Sequence, residues 1–195
     1  MCIFAPMRYI YCYHTPQGLD DLLMCSDGEV LTGLWFQGLH GEGLYLSGFV
    51  ELFQETSLPA VLSETCHWLD IYFSGRQPDF IPTYRIDNLT PFRKQVSDIM
   101  LGIPFGHTMT YGEIANRIVE TFQETSLCHR KMSAQAVGGA VGWNPLCIIV
   151  PCHRVVGAHG NLTGYGGGMD NKIALLELEG HDMSQFSIPK KNREL

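Results

Sequence analysis

The spacing of apolar residues changes several times along this 195-residue chain, and each spacing predicts a different element. In "EVLTGLWFQGL" apolar and polar positions alternate among β-forming residues, which predicts a strand over Val30 to Phe36. From Leu58 the spacing becomes helical. Val61, Leu62, Thr65, Trp68, Leu69, Tyr72 and Phe73 fall on one stripe, so Leu58 to Ser74 reads as a helix, with Pro59 in its first turn and Gly75 at its end. "RQPDFIPTYRIDNLTP" is Pro-rich and aperiodic, and reads as a linker with a domain boundary near Asn88. Thr90 and Pro91 then make a good N-cap and first helical residue for a helix over Phe92 to Leu101. "TYGEIANRIVETF" opens with Thr110 as N-cap and Glu113 three residues on, a capping box. A further helix runs from Ser133 to Val141, capped by Ser133 and built of Ala, Gly and Val. Such small side chains allow close packing on a neighbouring helix, or close approach to a nucleic-acid groove. The two helices resemble a helix-turn-helix with an unusually long connector.

In "NPLCIIVPCHRVVG", Asn144 to Gly157, the run Ile148, Ile149 and Val150 reads as a short buried strand. Pro151 ends it, because proline cannot donate to a ladder. Gly157 to Lys172 is a glycine-rich loop with no Walker or dinucleotide pattern. "KIALLELEG" is the last helix, with Glu179 near its end, and Met183 to Leu195 reads as a loose tail. "FQETSL" occurs at Phe53–Leu58 and again at Phe122–Leu127 in dissimilar surroundings, so it predicts no repeat architecture.

Composition narrows the class. Hydrophobic content of 45% and charged content of 17% fit a globular protein. No apolar run is long enough to span a bilayer, and "MCIFAPMRYIYCYH" lacks the clean apolar core of a signal peptide, so a cytoplasmic protein with no membrane partner is expected. Seven cysteines without a CxxC pair predict free thiols, not a disulfide framework or a zinc ribbon. Cys2, Cys12, Cys25 and His14 could in principle gather around a metal, but their spacing matches no common ligand pattern and they read as buried or incidental. The net charge of −7 is uneven. Residues 1–87 hold three Lys/Arg against eleven Asp/Glu, whereas residues 88–195 hold ten against nine. Any nucleic-acid contact by the second half is therefore expected to be modest in affinity and salt-sensitive.

Cys152 carries the candidate chemistry. A cysteine is a strong nucleophile only as thiolate, and its ordinary pKa of about 8.5 must be overcome by a neighbouring base or positive field. His153 adjoins it, and a carboxylate on the histidine's other nitrogen would fix the tautomer; Glu179 is the candidate. A solvent-facing loop histidine is the plainer alternative, and a cysteine hydrolase of Cys-His type is another.

The stretch "NPLCIIVPCHRVVGAHGNLTGYGGGMDNKIALLELEG" resembles the active-site region of the O6-alkylguanine-DNA alkyltransferases, or methylated-DNA–protein-cysteine methyltransferases. The family pattern PCHRV, then GxLxGYxGG, then K…LLxxEG is present in order. It extends upstream through "NLTPFRKQV", "IPFGHTMTYGEIA" and "AVGGAVGWNP", covering Asn88 to Gly180, with weaker matches in "LTGLWF" and "LDIYFSGRQPDF". The resemblance implies an α/β (α+β) protein. Residues 1–87 would form a small ribonuclease H-like domain, and residues 88–195 a helical, winged-helix-like DNA-binding and alkyl-acceptor domain.

It further implies a monomer that repairs double-stranded DNA containing O6-alkylguanine by base flipping and a single-turnover transfer to Cys152, with no cofactor. By position, His153 would be the base or water relay, Glu179 its orienting group, and Asn144 the brace of the turn. Tyr111 would support protonation of the leaving base, Tyr165 would wall the guanine site, the Gly166 N–H would meet O6, and Val155 would complete the substrate site. Ser133, Ala134, Gln135 and Ala136 would face DNA at the start of the recognition helix. The chain departs from the pattern at Gln135, where most relatives have an intercalating arginine, and in the longer connector "VETFQETSLCHRKM", whose Arg130 and Lys131 could compensate by contacting phosphates. The zinc ligands of some relatives are not found, and no metal is expected. Relatives that bind alkylated DNA without repairing it lack the reactive cysteine present here.

Overall fold

A computed structural model describes residues 8–38, 50–52, 58–125 and 132–188. Arg130, Lys131, Cys2, Cys128 and, of the two "FQETSL" copies, residues 53–57 and 126–127 lie outside them. The chain divides into two compact units, one of residues 1–88 with Pro145–Ile149, the other of residues 89–144 with 150–195.

The first unit is built on a mixed sheet in the order β3-β2-β1-β4. Strands β1 (Arg8–Tyr13) and β2 (Leu22–Ser26) form an antiparallel hairpin, and β3 (Leu31–Phe36) continues it antiparallel to β2. Strand β4 (Val50–Leu52) lies parallel to β1 on the other edge. Helix α1 (Ala60–Phe73) packs on β2 and β3, burying the predicted stripe Val61, Leu62, Thr65, Trp68, Leu69 and Tyr72. Pro59 stands just before the helix, not within it.

The Pro-rich stretch after α1 is not a free linker. Leu31 N–H donates to the Thr83 carbonyl at 2.9 Å and Arg85 N–H donates back to Leu31 at 2.9 Å. Trp68 Nε1 donates to the Phe80 carbonyl, and Arg85 pairs with Asp27 and Asp87. Prolines remove donors, but the residues between them keep theirs, and the open edge of β3 accepts them.

The same edge corrects the strand expected over Ile148 to Val150. Leu34 N–H donates to Pro145 and Cys147 N–H donates to Leu34, a single bridge, after which the chain turns. Ile148 has φ 67°, and Ile149 N–H closes onto the Cys147 carbonyl. Cys147, Ile148, Ile149 and Val150 are buried, so the β-branched run marks enclosure and not a ladder. A left-handed β-branched residue is costly, and burial on all sides is what holds it.

The second unit holds α2 (Pro91–Leu101), α3 (Tyr111–Thr125), α4 (Ala134–Gly142) and α5 (Met169–Leu178). The sequence signals act as read. Thr90 Oγ1 accepts from Arg93 N–H. Thr110 and Glu113 exchange bonds, N–H to Oε2 at 2.7 Å and N–H to Oγ1 at 3.1 Å. Ser133 Oγ accepts from Ala136 N–H at 3.1 Å. Helix α4 packs against both α2 and α3, burying Val137, Ala140 and Val141. Short strands β5 (Met109–Thr110) and β6 (Val155–Val156) pair in parallel.

The tail is docked as far as residue 188. Ser187 N–H donates to the Gly160 carbonyl and the Ser187 carbonyl accepts from Leu162 N–H, while Phe186 and Met183 pack on Val156, Leu162 and Leu176. Gly160 is required there. Its φ is 70°, and a Cβ would sit 2.6 Å from the Gln185 carbonyl.

Candidate active site

Every part of this site lies in the second unit. Pro151 leads into a 3-10 turn, Cys152–Arg154, in which all three side chains are buried. Asn144, just beyond the end of α4, uses one amide group twice. Its Nδ2 donates to the Val150 carbonyl at 2.8 Å and lies 3.0 Å from Cys152 Sγ. The turn and the sulfur are therefore braced by one side chain.

The next two residues reach the end of α5. His153 Nε2 stands 2.8 Å from Glu179 Oε1, with both side chains fully enclosed. Arg154 clamps both oxygens of Glu179 at 2.9–3.0 Å through Nε and NH2, and its NH1 donates to the Ile103 carbonyl at 2.7 Å. Gly106 N–H adds a further bond to Oε2 at 3.1 Å. Burial alone would push the Glu179 carboxyl up, but His153 and Arg154 outweigh it and hold it at about 2. Burial pushes His153 down against the pull of Glu179, so the imidazole is neutral and able to accept a proton at neutral pH.

The thiol is 7% exposed. Burial pushes its pKa up, while the Asn144 amide, the Lys172 ammonium and the Tyr165 hydroxyl pull it down without prevailing. The resting sulfur therefore carries its proton, and a base must take it at the moment of reaction.

Lys172 was not singled out in the sequence. It is fully buried, donates to the Val155 carbonyl at 2.6 Å and to Thr163 at 3.4 Å, and burial lowers it to about 8. The signal was its spacing. Lys172, Leu175, Leu176 and Glu179 share one helical face, so the lysine stands in an apolar stripe.

Tyr111 begins α3, where burial raises its hydroxyl's pKa against a hydrogen bond from Thr163, and a thiolate at Cys152 raises it further. Tyr165 is half-buried and Gly166 is exposed, both in the loop before α5. Val155 is buried in β6. Ser133, Ala134, Gln135 and Ala136 all lie exposed in the first turn of α4 or at its cap.

A sequence pattern described as "6-O-methylguanine DNA methyltransferase, DNA binding domain" matches residues 91–181. The methylated-DNA–protein-cysteine methyltransferase of Mycobacterium leprae is 36% identical over 174 residues, 89% of this chain and 94% of that protein. The crystal structure of Mycobacterium tuberculosis O6-methylguanine methyltransferase superposes with a TM-score of 0.70 at 36% identity, covering 89% of this chain and 93% of that one. A Mycobacterium tuberculosis OGT in complex with DNA gives 0.67 at 34% identity, covering 92% and 94%.

Proposed function

The chain belongs to the methylated-DNA–protein-cysteine methyltransferase family, and from that premise we propose that Cys152 is its alkyl acceptor. The activity is direct-reversal DNA repair, in which an alkyl group passes from O6 of guanine in DNA to a cysteine of the protein itself. The observation that carries the assignment is the meeting, on one 3-10 turn, of a thiol held by Asn144 and an imidazole held by Glu179.

The residues then act as follows. His153, neutral when buried and backed by the Glu179 carboxylate, takes the thiol proton through a water. The Asn144 amide and the Lys172 ammonium stabilise the sulfur anion as it forms. Sγ attacks the alkyl carbon, the S–C bond forms, and the C–O6 bond breaks with its electron pair left on guanine. Tyr111 supports protonation of the leaving base, the Gly166 N–H meets O6, and Tyr165 and Val155 close the guanine site. The thioether has no route back to thiol, so each molecule acts once.

The base must leave the stack to reach a thiol this enclosed, at a cost of a few kcal/mol. Gln135, exposed with Ser133, Ala134 and Ala136 at the start of α4, fills the gap it leaves. The first unit is ribonuclease H-like and the second winged-helix-like, with the functional boundary near residue 88. The protein acts as a cytoplasmic monomer.

Incubation with a duplex whose O6-methylguanine carries a labelled methyl tests the reading. Label should pass to protein and saturate at one methyl per chain. Bound DNA with its label retained would overturn it.

A further inference from the structure

Cys12 and His14 stand in the sequence among four residues without a common ligand spacing, and nothing there points to Asp21. The hairpin brings the three together. A strand period of two puts Cys12 and His14 on one face of β1 and its continuation. The register Cys12↔Leu23, Tyr13↔Leu22 then carries Asp21 opposite His14. His14 Nδ1 is 2.7 Å from Asp21 Oδ2, and Cys12 Sγ is 4.0 Å from the same oxygen. One sulfur, one nitrogen and one oxygen donor thus lie within 4.8 Å of one another, and among the described residues no other three His, Cys, Asp or Glu groups do so.

The carboxylate is held for this arrangement. Asp21 Oδ1 accepts the Thr15 N–H at 3.0 Å, which leaves Oδ2 facing the other two donors. Thr15 Oγ1 in turn donates to the Leu19 and Asp20 carbonyls, fixing the loop that joins the strands. Outer contacts of this kind orient metal ligands. Around a tetrahedral zinc, ligand atoms bonded at about 2.0–2.3 Å stand roughly 3.3–3.8 Å apart. The two observed separations, 2.7 and 4.0 Å, straddle that range, so small side-chain rotations suffice. Cys12 is half-buried and His14 exposed, which leaves a fourth position open to solvent.

We propose that Cys12, His14 and Asp21 bind one thiophilic divalent cation of the zinc class, tying the ends of the β1–β2 hairpin. A thiolate with an imidazole selects zinc or cobalt over calcium or magnesium. On binding, the Cys12 thiol proton passes to solvent and an S–metal bond replaces it. The site lies in the first unit and takes no part in alkyl transfer.

The test uses the full chain, stripped with a chelator and titrated with Co²⁺ and then Zn²⁺. One equivalent of Co²⁺ should give a thiolate-to-cobalt charge-transfer band with tetrahedral d–d bands, both displaced by zinc. Cys12→Ser should abolish the charge-transfer band, and Asp21→Asn should weaken binding at least about tenfold. Both variants should still accept one methyl, which also shows that they are folded. Cys152→Ala should leave the cobalt spectrum unchanged. No charge-transfer band, a band that survives Cys12→Ser, or a band lost in Cys152→Ala would each overturn the assignment.

Discussion

Replacing Glu179 with Gln should unsettle the protein more than any other single polar change in the second unit. Glu179 holds the only carboxylate within reach of two buried cationic or proton-accepting partners there, Arg154 and His153, among the described residues. Gln keeps the shape but removes the charge, leaving the Arg154 guanidinium, 7% exposed, without an anion. Breaking a buried pair on one side costs about 3–5 kcal/mol. The carboxyl's own titration gives a similar figure. Held at about 2 against its ordinary 4.5, it contributes roughly 3 kcal/mol at neutral pH. His153 and Arg154 hold it there together, and the two figures agree at about 3 kcal/mol.

The sign follows from the direction. A depressed carboxyl stabilises the fold above its unfolded value and loses that contribution as pH falls from 4.5 toward 2. The variant lacks this group, while the remaining carboxyls titrate alike in both proteins and cancel in the difference. Urea unfolding of both proteins between pH 7 and pH 3 measures the difference. It should be about 3 kcal/mol at pH 7 and shrink by roughly 2 kcal/mol by pH 3. A difference under about 1 kcal/mol at pH 7, or one that acid leaves unchanged, would refute the reasoning.

Three further substitutions have definite expected outcomes. Asn144→Ala removes a donor worth about 1.5–3 kcal/mol to a forming thiolate, so single-turnover methyl transfer should slow about 10–100-fold, as rapid-quench kinetics would show. Lys172→Met should move the rise of the transfer rate to higher pH, because the ammonium that favours the thiolate is gone. Burial holds Lys172 at about 8 against 10.5, so unfolding measurements should find wild-type stability from this group rising between those pH values and absent in the variant. Gln135→Arg should tighten duplex binding and steepen its salt dependence by about one unit of slope, measured by fluorescence anisotropy.

The helices of the second unit were legible because their starts are chemical. Thr90, Thr110 with Glu113, and Ser133 each satisfy an N–H group that any helix start leaves open. The run Ile148 to Val150 misled because β-branched residues signal enclosure in strands and turns alike, and a left-handed Ile148 leaves no mark in composition. Arg85 and Tyr84 looked like linker because their ladder partner, Leu31, lies far away in sequence. At the site, Cys152, His153 and Glu179 were legible from residue type and order. Lys172 was not, since only its place in an apolar stripe betrays it, and Asp21 joins Cys12 and His14 only through strand register.

The central claim is that Cys152 receives the alkyl group. Intact-protein mass after incubation with a duplex carrying O6-methylguanine, beside Cys152→Ala, tests it most directly. The account predicts a gain of one methylene's mass, located on the peptide containing Cys152 and absent from the variant. A gain that persists in Cys152→Ala, or no gain while the duplex stays bound and methylated, would contradict it.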